Sequence, residues 1–331
     1  MSGIDDDLDQ FVAMLPKLLS DHVKPDVPMD SHNQLAALRR ALDESDITNL
    51  ALETLELPNS LTWLATTVSE VAHASPSLAF VLASRYVAQR AVAAADGESA
   101  AADAGAAVIC PAASDGISFP DDAIVADLFE PEQLILADTA SGRTLVVHRG
   151  DISQAGNERT ATTGLADARL RQIHVDGPAR LTLDHVSTAA IVRDWNILMS
   201  AVSLGIAVQA QRVSEAYAAD RRQFGSPLTG FTALRSILAE LQVQIAGIRA
   251  LLDRAVADEV TLEASAELWA IAGPAAVDVA LNAIQVHGGY GYIDEYPVAG
   301  LLRDAVSVRA RGCDRRSAIA ATAAARLGAL T

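Results

Sequence analysis

The spacing of apolar positions changes character twice along the chain. Between residues 5 and 104 it is helical: Leu61, Leu64, Val68 and Val71 recur at three and four residues, and Leu78, Phe80, Val81, Leu82 and Val87 follow. Pro76, inside Ser-Pro-Ser, marks a helix start after a break. An alanine-rich stretch from 92 to 107, holding Gly97 and Gly105, is expected to close this helical block.

From about 108 to 186 the pattern shortens. Runs at Gln133–Ala137, Arg143–His148, Leu170–Val175 and Arg180–Leu183 lie between Asp-Gly, Ser-Gly and Pro signals, as short strands do. From 187 onward the helical period returns. Leu234, Ile237, Leu238, Leu241, Ile245, Ile248, Leu252 and Ala255 form a sustained apolar stripe. Further helices are expected over 196–219, 263–286 with a break or kink at Gly273-Pro274, 297–308 and 314–328. The expected fold is mainly α with a small β insert. It divides into an N-terminal helical domain (1–107), a reduced middle β domain (108–186) and a C-terminal long-helix bundle (187–331).

Composition narrows the function. Half of the 331 residues are hydrophobic and 20% are charged, which excludes a disordered chain. Forty-two acidic residues against 25 basic ones give a net charge of −17, and Lys17 and Lys24 are the only lysines. That balance argues against partners held by phosphate contacts, whether nucleic acid or an anionic membrane. No uncharged apolar run reaches roughly eighteen residues, so a membrane-spanning helix is not expected. The acidic start Met-Ser-Gly-Ile-Asp-Asp-Asp is unlike a signal peptide, and a cytoplasmic protein is expected. Cys110 and Cys313 make neither a disulfide framework nor a metal set.

Two strings in the last third carry chemistry. One is Arg221-Arg222-Gln223-Phe224-Gly225-Ser226-Pro227-Leu228, followed by Phe231. The other runs from Gln285 through Val286, His287, Gly288, Gly289, Tyr290 and Gly291 to Tyr292, and continues to Tyr296-Pro297 and Arg303-Asp304-Ala305. An arginine at a helix end offers a two-pronged donor to a diphosphate. A Gly-Gly-x-Gly turn lets backbone amides come close to a phosphate or sugar. Gln285 adds a hydrogen-bonding amide. Without further context, Arg221 reads equally as a surface arginine and the glycines as a helix stop.

In this order and at this separation, the two strings resemble the C-terminal domain of acyl-CoA dehydrogenases over about 197–306. Val68–Leu82, with its Ser-Glu-Val-Ala-His-Ala-Ser-Pro-Ser stretch, is similar to part of that family's first helical domain. The resemblance implies FAD bound between paired subunits, with Arg221, Gln223, Phe224, Gln285, Gly288, Gly289 and Gly291 as cofactor contacts. It also implies a glutamate that removes the α-proton of an acyl-CoA while the β-hydride passes to the flavin.

That glutamate is not where the resemblance places it. One family seat, seven residues after Arg-Asp-Ala, is Gly312; the other, ten residues before the glycine matching Gly205, is Trp195. Asp194 adjoins the second seat, but a neighbour on a helix points about 100° away, and a solvated helix-start carboxylate is the plainer expectation for it. Asn196 stands where the family has a substrate-contacting arginine, and Cys313 where a threonine follows the base. The flavin-wrapping Thr-Glu-Pro stretch has only Ile109–Gly116 as a counterpart, and a Trp-Ile-Thr string is absent.

The strings retained are those the family extends to a neighbouring subunit's FAD; those missing serve a subunit's own site. The expectation is a non-catalytic subunit, with no catalytic residue of its own, sharing FAD with a catalytically complete acyl-CoA dehydrogenase chain in a two-plus-two heterotetramer. It resembles the short subunits of heteromeric acyl-CoA dehydrogenases of actinobacterial sterol side-chain degradation. Two alternatives stay open: a homomeric flavoenzyme with an unconventional base, and a flavin-free scaffold. Among smaller features, His287 is expected to support its turn, Trp195 to fill a vacated acyl pocket or belong to the core, and Arg303-Asp304 to form an ion pair or cap. Arg309, Arg311, Arg315 and Arg316 read as a phosphate clamp or a solvated face.

Overall fold

The computed structural model describes residues 2–22, 32–97, 101–102, 104–110, 122–126, 130–138, 142–154, 163–176, 179–257 and 260–311, with a few scattered positions beyond. The N-terminal block contains α1 (Ser2–His22), α2 (His32–Glu44), the single turn α3 (Leu50–Glu53), α4 (Ser60–Ala74) and α5 (Pro76–Asp96). The start of α5 follows from its sequence: Ser75 Oγ accepts the Leu78 N–H at 3.2 Å, and Pro76 occupies the first turn, where no donor is needed.

The alanine-rich segment does not extend the helices. Ala104–Cys110 is strand β1, parallel to β3 (Gln133–Asp138). Gly105 permits this, because a Cβ there would collide with Pro131. Strands β4 (Arg143–His148) and β7 (Leu181–Leu183) complete a four-stranded sheet, ordered β1-β3-β4-β7. A second sheet pairs β2 (Asp122–Ala126), β6 (Leu170–Val175) and β5 (Ile152–Gln154) in the order β2-β6-β5. Strand β3 is buried along its whole length because its two faces serve two cores. Leu134 and Leu136 join Val125, Val147 and Ile173 in one apolar cluster, while Ile135 and Ala137 belong to the main helical core.

The C-terminal bundle is built on α6 (His185–Asp220), which Asp184 caps by accepting the Ser187 N–H at 2.9 Å. At 36 residues it starts eleven residues earlier than its apolar pattern suggests. Gly205 lets α6 touch α4, since a Cβ there would strike the Ser69 carbonyl and Ala72. Next come the two-residue strands β8 (Arg222–Gln223) and β9 (Ser226–Pro227), then α7 (Thr232–Ala257), α8 (Leu262–His287) and α9 (Val298–Arg311). The predicted stripe of α7 is buried at Leu241, Ile245, Ile248, Leu252 and Ala255. Helix α8 runs through Pro274 without interruption; packing along α6 outweighs a defect of about 3 kcal/mol. The expected helix 314–328 lies largely outside the described residues.

Contrary to the sequence expectation, α6 and α8 are long and apolar enough in composition to cross a membrane. However, 83% and 56% of their most apolar windows are buried inside the protein, so this apolarity belongs to the core.

Candidate functional site

The ends of α6 and α8 bring the two strings together. Helix α6 stops at Arg221, whose N–H still bonds the Tyr217 carbonyl at 2.9 Å. The chain then turns back in a hairpin, Arg222 opposite Pro227 and Gln223 opposite Ser226. Phe224 and Gly225, at φ +51° and +82°, form its tip, the left-handed pair a tight two-residue hairpin needs. Glycine adopts that conformation freely, whereas phenylalanine is strained by it. Phe224 is nevertheless 94% exposed, with only an edge-on contact to Phe231 at 6.4 Å.

Helix α8 stops at His287, where Gly288 reverses the backbone at φ +58°, ψ −134°. Gln285, Gly288 and Gly289 are exposed, and a Cβ at either glycine would meet nothing within 4 Å. Their backbone therefore borders open space that an incoming group can occupy. Gly291 is different: it is buried, and a Cβ there would come within 2.9 Å of the Ile284 carbonyl. Its lack of a side chain serves the packing of the turn on α8. Tyr290 and Tyr292 stand exposed beside it, Tyr292 at 76%.

Arg221 joins the two strings, its guanidinium carbon 5.1 Å from the centre of the Tyr290 ring. Beneath them the Tyr217 ring stacks on His287 at 4.2 Å, and its hydroxyl donates to the His287 carbonyl at 3.3 Å. Tyr296 meets both rings edge-on, at 5.6 and 5.7 Å. His287 Nδ1 lies 2.8 Å from the Ala283 carbonyl and so carries the proton. Burial pulls the imidazole pKa below its ordinary value, the Ala283 bond opposing, so the ring is neutral at pH 7. Burial raises the Tyr217 phenol, with Arg221 opposing. His287 thus supports the turn, whereas Tyr217 escaped sequence reasoning and Tyr296 was read only as part of the second string, with no role. The one signal for Tyr217 was its placement a single helical turn before Arg221.

The candidate positions near the start of α6 are closed. Asp194 is not a solvated carboxylate at the first turn: it is 5% exposed and lies in the third turn of α6. Its carboxylate is held by Arg90 Nε at 2.9 Å and Arg193 Nη2 at 2.8 Å, and Arg90 also donates to Ser60 Oγ. Both oxygens are committed to guanidinium groups, an arrangement that suits an anchor and not a proton acceptor. Trp195 is 2% exposed and meets Phe80 of α5 edge-on at 6.1 Å. Its indole N–H has no hydrogen-bond partner. Asn196 is buried and donates to Ser265 Oγ at 3.2 Å.

Asp304 accepts the Leu165 N–H at 2.7 Å, tying α9 to the loop before β6. Gly164 lets that loop ride on the Arg303 backbone. Burial pushes the Asp304 carboxyl up to about 6, against the Leu165 bond, with Asp167 adding to the rise and Arg303 opposing it. The Arg303 side chain instead approaches Asp294, at 3.7 Å. Arg311 is half-buried, Arg309 and Arg316 are exposed, and burial lowers the Arg311 pKa. Gly312, Cys313, Arg315, residues 111–116 of the Ile109–Gly116 string and the Cys110 side chain lie outside the described residues.

Residues 196–312 match the family described as acyl-CoA dehydrogenase, C-terminal domain. The short-chain-specific acyl-CoA dehydrogenase of Megasphaera elsdenii is 39% identical over 113 residues, 31% of this chain and 30% of its own length. Cyclohexane-1-carbonyl-CoA dehydrogenase of Geobacter metallireducens is 34% identical over 165 residues, 47% of this chain and 42% of its own. The chain thus spans less than half the length of these curated relatives. Among solved structures, butyryl-CoA dehydrogenase from Megasphaera elsdenii superposes with a TM-score of 0.77 at 17% identity, covering 97% of this chain and 98% of that one. The Tcur3481-Tcur3483 steroid ACAD superposes at 0.78 with 21% identity, covering 99% of each chain. Residues 196–312 are thus similar to the C-terminal domain of acyl-CoA dehydrogenases, and the chain as a whole shares the fold of the solved acyl-CoA dehydrogenases. The family is one of FAD-binding oxidoreductases.

Proposed function

We propose that this chain is a subunit of a heteromeric FAD-dependent acyl-CoA dehydrogenase, completing the flavin site of a catalytically complete partner and carrying out no chemistry itself. The observation that carries the proposal is the open end of the bundle. Phe224 at a strained hairpin tip and the Gly288-Gly289 backbone are exposed on either side of a half-buried Arg221 that lies over Tyr290, with none of this chain's described residues over Phe224 beyond the edge of Phe231. Strain on an exposed aromatic is retained where a second molecule uses it.

These residues fit a dinucleotide. Arg221 supplies charge for a diphosphate, the exposed Gly288-Gly289 turn lets a group approach the backbone closely while the Gly288 N–H stays bonded to the Gln285 carbonyl, Gln223 and Gln285 offer hydrogen bonds, and Phe224 offers an apolar face. Gly291 shapes the turn from beneath. Bound there, FAD supplies acceptance of the hydride from the substrate's β-carbon while the partner removes the α-proton. This chain's residues hold and orient the cofactor and exclude water from its outer edge.

The closed start of α6 supports the non-catalytic assignment. Asp194 is neutralised by two arginines, and Trp195 fills the interior against Phe80. We assign the substrate to CoA thioesters undergoing α,β-desaturation, a sterol side-chain CoA among them, in a two-plus-two heterotetramer located in the cytoplasm. The steroid ACAD that shares the fold gives this assignment its precedent.

Arg221→Ala in a complex purified with a complete acyl-CoA dehydrogenase chain tests the reading. Loss of flavin from an intact assembly is expected. Unchanged flavin content would leave this chain as a scaffold only. Flavin bound by this chain alone and bleached by an acyl-CoA would make it a homomeric enzyme.

A further inference from the structure

The outward-facing residues are held by a device underneath them. Arg221 and the Gly288–Gly291 turn follow different helices, and the contact of the Arg221 guanidinium with the Tyr290 ring links their outer parts. Below it, three aromatic rings from three parts of the chain meet: Tyr217 of α6, His287 of α8, and Tyr296 from the connection to α9. Tyr217 bonds in two directions. Its carbonyl accepts the Arg221 N–H at 2.9 Å, and its hydroxyl donates to the His287 carbonyl at 3.3 Å. The His287 carbonyl belongs to the same peptide group as the Gly288 N–H, so the tyrosine hydroxyl fixes the plane of the first amide in the turn. His287 Nδ1–H is committed to Ala283, leaving the imidazole face to the tyrosine.

We infer that Tyr217, His287 and Tyr296 are positioning residues, an aromatic clamp that sets Arg221 and the exposed Gly288-Gly289 turn in one register for a shared dinucleotide. The inference rests on the shared-flavin reading above. A stacked ring pair is rigid where a long side chain is not, so the arginine and the turn reach the cofactor without first being ordered. The neutral imidazole also adds no positive charge beside Arg221, which leaves the guanidinium as the cation at this point.

The test has two readouts. On the isolated chain, the titration of His287 is followed by histidine-resolved NMR, assigned with His287→Gln. The groups facing the ring are Tyr217 from α6 and Tyr296 from the connection to α9, with the Ala283 carbonyl on Nδ1. Removing the stacked ring by Tyr217→Leu is expected to move the titration upward, toward the ordinary imidazole range, as water reaches the ring. In the complex with the partner chain, Tyr217→Leu is expected to release flavin about tenfold faster from an assembly of unchanged mass, the size of one lost aromatic pair. Tyr217→Phe, which keeps the stack and gives up only the 3.3 Å hydroxyl bond, is expected to restore most of the retention.

An unmoved His287 titration, or full flavin retention in the Tyr217→Leu complex, overturns the clamp while leaving the shared site standing. A wild-type complex without flavin overturns the shared-site reading, and the clamp's role falls with it.

Discussion

The two ends of one helix have opposite fates. Near the start of α6, Asp194 and Trp195 are buried, one gripped by Arg90 and Arg193 and the other packed on Phe80. Roughly 40 Å further along, at 1.5 Å per residue, Arg221 opens into a hairpin whose tip keeps a phenylalanine in solvent at positive φ. The first region is packed core, closed by ion pairs and aromatic contact even though the Trp195 indole N–H goes unpaired. The second carries strain and exposed apolar surface that the isolated chain does not need. Stability explains the inner end; only a second molecule explains the outer one.

Substitutions along α6 and its neighbours can break that contrast, and the largest effect is expected at the inner end. Asp194→Ala leaves two guanidinium groups without their carboxylate and is expected to lower unfolding free energy by about 3 kcal/mol in urea titrations. A proton-accepting Asp194 would instead show intact folding and lost flavin reduction. Gly205→Ala, which forces a methyl against the Ser69 carbonyl and Ala72, is expected to cost about 2 kcal/mol by the same measurement.

Asp304 gives a pH signature. Its carboxyl is raised from 3.8 to about 6, so the folded chain binds its proton more tightly than the unfolded chain does. That contribution is complete below pH 3.8 and is lost as pH rises through about 6. Asp304→Asn, which keeps an acceptor for Leu165, is expected to remove a pH-dependent decline of about 3 kcal/mol between these limits. Stability curves measured from pH 4 to 7 for both proteins check the sign; parallel curves would refute it.

The smallest effect sharpens the contrast most. Phe224→Gly relieves the left-handed strain at the exposed tip. It is expected to stabilise the isolated chain by about 0.5–1 kcal/mol in thermal melts while weakening flavin retention in the complex. Destabilisation of the isolated chain would show the ring serving the fold after all.

Much of this was legible in the sequence where local signals and tertiary packing agree. Ser75-Pro76 caps α5, and the stripe from Leu241 to Ala255 on α7 meets the core as its spacing predicts. Where packing overrides propensity, the sequence misled. Ala104–Cys110 has helix-forming composition but is a strand, because it pairs with β3 and Gly105 admits Pro131. The first turns of α6 mix β-branched and charged residues, and Pro274 argues for a break that burial suppresses. At the site, the outward residues were readable because each lies in a compact string. The clamp was not, since Tyr217 lies 70 positions before His287 and alone resembles any core aromatic, so nothing in the second string shows what stacks on its histidine. Asp194 was misjudged because its partner Arg90 lies 104 positions away, on α5.

The most direct measurement is the visible spectrum and mass of this chain purified alone, then after co-expression with a complete acyl-CoA dehydrogenase chain. A colourless chain that acquires one flavin per pair of unlike subunits is the expected result. A yellow homomer whose flavin bleaches on adding an acyl-CoA would contradict it.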